Sequence, residues 1–147
     1  MIFTIGFTQK SAEVFFDLLT QNKVDLLIDI RLNNTSQLAG FAKFPDIQFF
    51  LNNIGSINYI HDTVFSPTED LLKDYKSKKV SWSEYEDIFE DIMLKREINT
   101  YIQEQYTTYS NQNVCLLCSE PTAKQCHRRL VAEHFKEVRR GQRTFRR

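Results

Sequence analysis

Val114–Arg129, VCLLCSEPTAKQCHRR, is the stretch on which the fold turns. Val114 to Cys118 is a short, continuous apolar run, the pattern of a strand covered on both faces. Thr122 and Gln125 then match a capping box, with Pro121 just before it. Ala123, Cys126, Leu130, Val131, Phe135 and Val138 recur at helical spacing and give a last helix an apolar face. A buried strand running directly into a helix is the unit from which parallel sheets are built.

The rest of the chain repeats that unit. Ile2–Ile5 is a short apolar strand stopped by Gly6. Ser11 is a good N-cap, and Val14, Phe15, Leu18 and Leu19 predict a helix from about Ala12 to Asn22. Leu26 to Ile30 predicts a second buried strand, interrupted by Asp29 near its carboxyl end. Leu32 to Phe44 has no periodicity and predicts a binding loop or lid. Pro45 suits the start of a second helix, which Gly55 stops. Ile57–Ile60 predicts a third strand, with His61 at its end, more a surface histidine than a ligand. Pro67, Thr68 and Glu69 open a third helix.

Ser81 and Glu84 form the clearest capping box in the chain. Tyr85, Ile88, Phe89, Ile92 and Met93 share one face of the helix that follows. The phase slips at Lys95–Glu97, so this region is either one bent helix or two. Its aromatic stripe reads as core. The expected fold is α/β: a single domain with a small, mostly parallel four-stranded sheet flanked by helices.

Composition fits a globular domain, with 41% apolar and 26% charged residues. Four Gly and three Pro among 147 residues argue against disorder and against a turn-dense all-β fold. No apolar run approaches the ~20 residues of a membrane span, and there is no secretory leader pattern. A cytoplasmic protein without membrane contact is expected. Three cysteines, Cys115, Cys118 and Cys126, are an odd count and argue against a disulfide framework.

Charge is zero overall but unevenly spread. From Lys124 onward, nine Lys/Arg face only Glu133 and Glu137, a balance of +7, so the first 123 residues carry −7. This divides the chain into an α/β domain, 1–138, and a basic C-terminal tail, 139–147. A basic end suggests an anionic partner such as nucleic acid, or simply a solvated helix end favoured by its own dipole.

If the four strands are parallel, their carboxyl ends bring Gly6, Thr8, Asp29, Arg31, His61 and the Cys118–Arg128 segment to one edge, where ligands of open α/β sheets bind. Asp29 and Arg31 are two apart on a strand, so they share a face and can pair. Asp29 would then orient Arg31 toward an anion.

Three chemistries fit Cys118, Glu120, Cys126, His127 and Arg128. In the first, an anion is held by Arg31, Ser36, Arg128 and the last helix's N-terminus. In the second, a Cys118 thiol is the nucleophile of a sulfur-transfer or redox enzyme, with His127 or Glu120 moving protons. In the third, Cys118, Cys126 and His127 hold zinc. The spacing matches no standard zinc pattern, and on one helix Cys126 and His127 would point about 100° apart. No metal and no cofactor are therefore expected. Cys126 also lies on the apolar face, and Cys115 reads as core. A non-enzymatic interaction module whose motif residues only brace the fold is the plainest alternative.

The chain resembles the family known as domain of unknown function 488. The likeness runs through TIGFT (Thr4–Thr8), DIR (Asp29–Arg31), Ser36, Gly55 with Tyr59, SPTEDLL (Ser66–Leu72), WSEY (Trp82–Tyr85) and LLCSEPTAKQCHRR (Leu116–Arg129). Asn33-Asn34 stands where many members carry a proline near the loop, and the closing GQRTFRR matches nothing in the family. The resemblance implies a small α/β fold and brings no assigned activity. The residues it carries over are Asp29, Arg31, Ser36, Cys118, Glu120, Cys126, His127 and Arg128.

Together these observations lead to a pocket at the carboxyl edge that binds a nucleotide, another phosphate-bearing small molecule or nucleic acid. The candidate catalytic residues are Cys118, Glu120 and His127. Arg31, Ser36 and Arg128 are the candidate anion ligands, and Asp29 and Cys126 the orienting residues.

Overall fold

Two strands form the middle of the sheet, and both are apolar enough to be buried on both faces. They are β2 (Leu26–Asp29) and β4 (Val114–Cys118), and every residue in them is buried. The computed structural model describes residues 1–35, 40–119 and 125–145, with side chains through 142. β1 (Ile2–Gly6) and β3 (Asn58–His61) are the edges, partly exposed, and the order is β1-β4-β2-β3. All pairings are parallel, in a register that sets Gly6 beside Cys118 and Asp29 beside both Leu117 and His61. The α/β fold expected from the sequence is therefore the fold observed.

Alternation along the strands divides the core in two. Leu27, Cys115 and Leu117 face α1 (Ala12–Gln21) and α2 (Asp46–Gly55). Leu26, Ile28, Val114 and Leu116 face the opposite layer. That layer contains α3 (Glu69–Lys76), α4 (Trp82–Lys95), α5 (Ile98–Gln105) and α6 (His127–Phe145). β1 and β2 thus lead into helices on one face, whereas β4 lies between them and leads into α6 on the other. β4 ends at a topological switch point, where an open sheet parts its loops and leaves a crevice.

Local chemistry sets the element ends. Ser11 caps α1, Thr68 caps α3, and Ser81 with Glu84 closes the expected capping box on α4. The phase slip at Lys95–Glu97 is a true break: Glu97 is left-handed (φ 51°), and α4 and α5 are separate. The break aims Arg96 at the carbonyls of Val64 and Ser66, both 2.8 Å away. α2 runs one residue past the expected stop, through Gly55, and Ser56 takes the left-handed position. Gly55 serves close packing: a Cβ there would meet Thr20 and Ile57 at 3.0 Å.

Two expectations differ at the C-terminus. The last helix begins at His127, not near the Thr122 capping box, and Thr122 lies outside the described residues. It then runs unbroken to Phe145, so residues 139–145 continue a helix where a separate basic tail was expected. Among the described residues, no helix is long and apolar enough to cross a membrane.

Two phenols, Tyr106 buried and Tyr101 half-buried, are tied to one acidic group. Tyr101 and Tyr106 each donate to Asp62 Oδ2 at 2.7 Å. Burial, then the bond to Asp62, pushes the Tyr101 phenol up to about 12, and the same causes raise Tyr106 further. The folded-state values lie above the unfolded one near 10, so the unfolded chain loses these protons first. Stability should therefore hold below pH 10 and fall as pH rises through 10 to 12. Urea midpoints measured across that range check this, and Tyr101→Phe should make the decline shallower. A flat profile in the parent protein would refute the assignment.

Candidate functional site

Asp29 is the last residue of β2, and its side chain is fully buried. A carboxylate so placed needs a partner, and Arg31 supplies it. Arg31 Nε donates to Asp29 Oδ1 at 2.8 Å and Nη2 to Oδ2 at 2.7 Å, the two-pronged geometry of a strong pair. Nη2 also donates to the Ala42 carbonyl at 2.6 Å, and Tyr59 donates to Asp29 Oδ2 at 2.6 Å. Burial and the neighbouring Asp29 charge raise the Tyr59 phenol well above its ordinary range. Burial alone would lower the Arg31 guanidinium, but the bonds and charge of Asp29 outweigh it and the net shift is upward. The guanidinium lies over the Phe7 ring, 5.2 Å from its centroid.

The backbone here is pinned at each carbonyl. Asp29 O accepts from the Asp62 amide at 3.0 Å. Ile30 O accepts from Ser66 Oγ at 3.0 Å and His127 Nε2 at 2.9 Å. Arg31 O accepts from His61 Nε2 at 2.7 Å. His61 is exposed, as expected of a surface histidine, and its ring also braces the residue that carries the cation.

His127 opens α6, and its other ring nitrogen faces the thiols. Nδ1 lies 3.6 Å from Cys118 Sγ and 3.9 Å from Cys126 Sγ. Because a carbonyl can only accept, Nε2 carries the proton toward Ile30, and in the neutral ring the Nδ1 lone pair faces the sulfurs. All three side chains are buried. Contact with Cys118, then burial, pushes the Cys126 thiol up. Cys115 is core, as expected, its thiol raised to about 12 by burial. Cys126 precedes the helix, so the sequence-based argument that it diverges from His127 by a helical step does not apply.

These groups line one cavity of about 660 Å³ above the carboxyl edge. Its lining includes Arg31, Cys118, Cys126 and His127 together with the aromatic side chains Tyr75, Trp82 and Tyr85. Trp82 and Tyr85 are stacked, 5.1 Å apart and inclined by 17°. The stripe expected as core is buried at Tyr85, Phe89 and Met93, while Ile88 is exposed; Trp82, outside that stripe, stands at the first turn of α4 and lines the cavity. Tyr59, Ser66 and Asp62 were not singled out as site residues. Tyr59 and Ser66 lie within the family-like motifs, the one signal that marked them.

Arg128 goes elsewhere. It is buried and lines a smaller cavity of about 220 Å³ with Thr4, Gly6, Lys10 and Cys115. Lys10 is held below its usual range by burial and by the Arg128 charge. Among the described residues, Arg31 and Arg128 thus line different cavities. Ser36 and Glu120 lie outside the described residues.

The Asp29–Arg31 pair can be tested directly. Asp29→Ala leaves a buried guanidinium uncompensated and should cost about 3–5 kcal/mol by chemical denaturation. Tyr59→Phe removes one donor and should cost about 1 kcal/mol. Equal effects of the two substitutions would show that the pair does not organise the edge.

Comparison with known proteins places this geometry in a family. No curated protein and no solved structure matches the chain significantly. A family model does, that of the domain of unknown function DUF488, over residues 11–135. That span takes in α1, the Asp29–Arg31 pair, the aromatic wall and the Cys118–His127 cluster, and the chain belongs to the DUF488 family.

Proposed function

We propose that the protein binds a small phosphate-bearing ring compound, a mononucleotide by size and chemistry, in the cavity at the carboxyl edge. One observation carries this: a cation fixed by its own carboxylate lines the same cavity as a stacked aromatic pair. Asp29 and Ala42 engage Nε and Nη2 of Arg31, and among the described residues nothing engages Nη1. That nitrogen suits a phosphate oxygen, while Trp82 and Tyr75 suit the face of a base. The volume lies within the usual range for small-molecule sites. A nucleic-acid ligand would present the same two features through a terminal nucleotide.

Trp82 is the one tryptophan in the chain, so its fluorescence reports on this cavity. Nucleoside monophosphates should quench it in a saturable way, and the parent nucleosides only weakly. Arg31→Lys keeps a cation but loses the fork, and should weaken binding about tenfold or more, as a lost charge-assisted hydrogen bond implies. Short oligonucleotides serve as the comparison. Emission unmoved by millimolar nucleotides and by oligonucleotides would end this proposal, and so would nucleosides binding as well as nucleotides.

The contact between Cys118 and His127 favours a second reading, a reactive thiol at Cys118. In metal-free, fully reduced protein, Cys118 should then alkylate faster at neutral pH than free cysteine. The buried Cys115 should stay unreacted. A Cys118 no faster than free cysteine removes thiol catalysis.

A further inference from the structure

We propose that Cys118, Cys126 and His127 are the ligands of a zinc ion whose fourth coordination position opens into the cavity. The three donor atoms, two thiol sulfurs and Nδ1, all lie within 4.8 Å of one another, and they come from the end of β4 and the start of α6. Ordinary bond lengths in a tetrahedral zinc site set sulfur and nitrogen about 3.6 Å apart and two sulfurs about 3.8 Å apart. The observed sulfur–nitrogen separations are 3.6 and 3.9 Å. Both sulfur–nitrogen separations thus lie near those between corners of a zinc tetrahedron, and the sulfur–sulfur separation is within 4.8 Å.

The surroundings supply what such a site requires. A ligating histidine commonly donates its second ring N–H to a carbonyl or carboxylate, which fixes the ring and aims its lone pair at the metal. His127 does this through Nε2 to Ile30 O, and Ser66 Oγ holds the same carbonyl. Phe89 packs against the imidazole with centroids 5.6 Å apart, limiting its rotation. Two thiolates and an imidazole form a soft donor set suited to zinc. Binding displaces both thiol protons to solvent, and the two thiolate charges cancel the charge of the ion. Arg31, which feels the charge at Cys118, thus faces a neutral centre and not a second cation.

Among the described residues the cluster offers three N/S ligands, the number a catalytic type of zinc site uses, where a closed structural site uses four. All three residues line the 660 Å³ cavity, so the open position would take water or a ligand oxygen there. This proposal does not depend on the identity of the cavity's ligand. Neither a nucleotide nor a nucleic acid needs to bind for it to hold.

The test uses the full chain, purified under reducing conditions and freed of metal. Elemental analysis after zinc loading and gel filtration should give one zinc per chain. Cobalt(II) as a substitute should give the intense visible bands of a tetrahedral site and a thiolate charge-transfer band in the near ultraviolet. Cys118→Ser, Cys126→Ser and His127→Ala should each abolish that spectrum or weaken metal binding at least a hundredfold. Cys115→Ser, which alters a buried cysteine outside the cluster, should leave both unchanged.

A reduced parent chain that takes up neither zinc nor cobalt overturns the proposal whatever the variants do. Uptake that survives Cys118→Ser or Cys126→Ser in folded protein overturns it too, by placing the ion elsewhere. Isolation with Cys118 and Cys126 joined as a disulfide that, once reduced, still binds no metal would identify the cluster as a redox pair instead.

Discussion

The carboxyl edge of the sheet depends on the burial of Asp29. A carboxylate with no solvent exposure at the end of a central strand is tolerable only with a matched cation and further donors. Arg31 provides the cation, and Tyr59 and the Arg31 backbone amide complete the set. Satisfying Asp29 determines the path of the next two residues, because Arg31 must turn back over the strand it has just left. The turned backbone then exposes carbonyls that need donors of their own. Asp62, Ser66, His61 and His127 supply them from three separate segments. One buried charge thus gathers β3, the turn before α3, and α6 around itself.

Topology places reactive chemistry next to that organised edge. β4 lies between β1 and β2 yet leads into the opposite helical layer, so the crevice forms where it ends. Cys118 is the last residue of β4, and His127 the first of α6. Ile30 O, held on one side by Ser66, holds His127 on the other. The imidazole therefore joins the charged half of the edge to the thiol half. Its position follows from a backbone carbonyl, and its chemistry is directed to the sulfurs.

Most of the fold could be read from local signals because those signals were not in conflict. Apolar runs gave β2 and β4, Ser81 with Glu84 gave the start of α4, and the phase slip at Lys95–Glu97 marked the break before α5. Boundaries moved where tertiary packing overrode a local cue. α6 begins at His127, where its ring meets Ile30 O. In the site, the Asp29–Arg31 pair was legible because strand geometry puts residues two apart on one face. The separation of Arg31 from Arg128 was not legible, since it depends on which side of β1 and β4 a helix start lies. The cluster of Cys118, Cys126 and His127 was legible as a set of candidate ligands but not as a convergent one: spacing along the chain suggested divergence, whereas the residues before the helix bring the donors together. Trp82 shows another limit: no helical period marked it, and only the packing of α4 sets it against the cavity.

Charge balance gives the two ends of the molecule different ranges of action. At the cavity, Arg31 is neutralised by Asp29, and two thiolates would neutralise a divalent ion beside it. A phosphate there would be held by one guanidinium nitrogen, an open coordination position and an aromatic wall. Each of these acts over a few ångströms. The far half of α6 is different. Lys136, Arg139 and Arg140 outnumber Glu137, and the described helix continues through Arg143. Unbalanced surface charge of this kind acts over about a Debye length, roughly 8–10 Å near physiological salt. Arg139 is partly occupied in holding the Tyr109 carbonyl at 2.8 Å, which secures the helix to the layer beneath it. Any long-range attraction of an anion would therefore come from the C-terminal helix, and any discrimination among small ligands from the short contacts at the carboxyl edge.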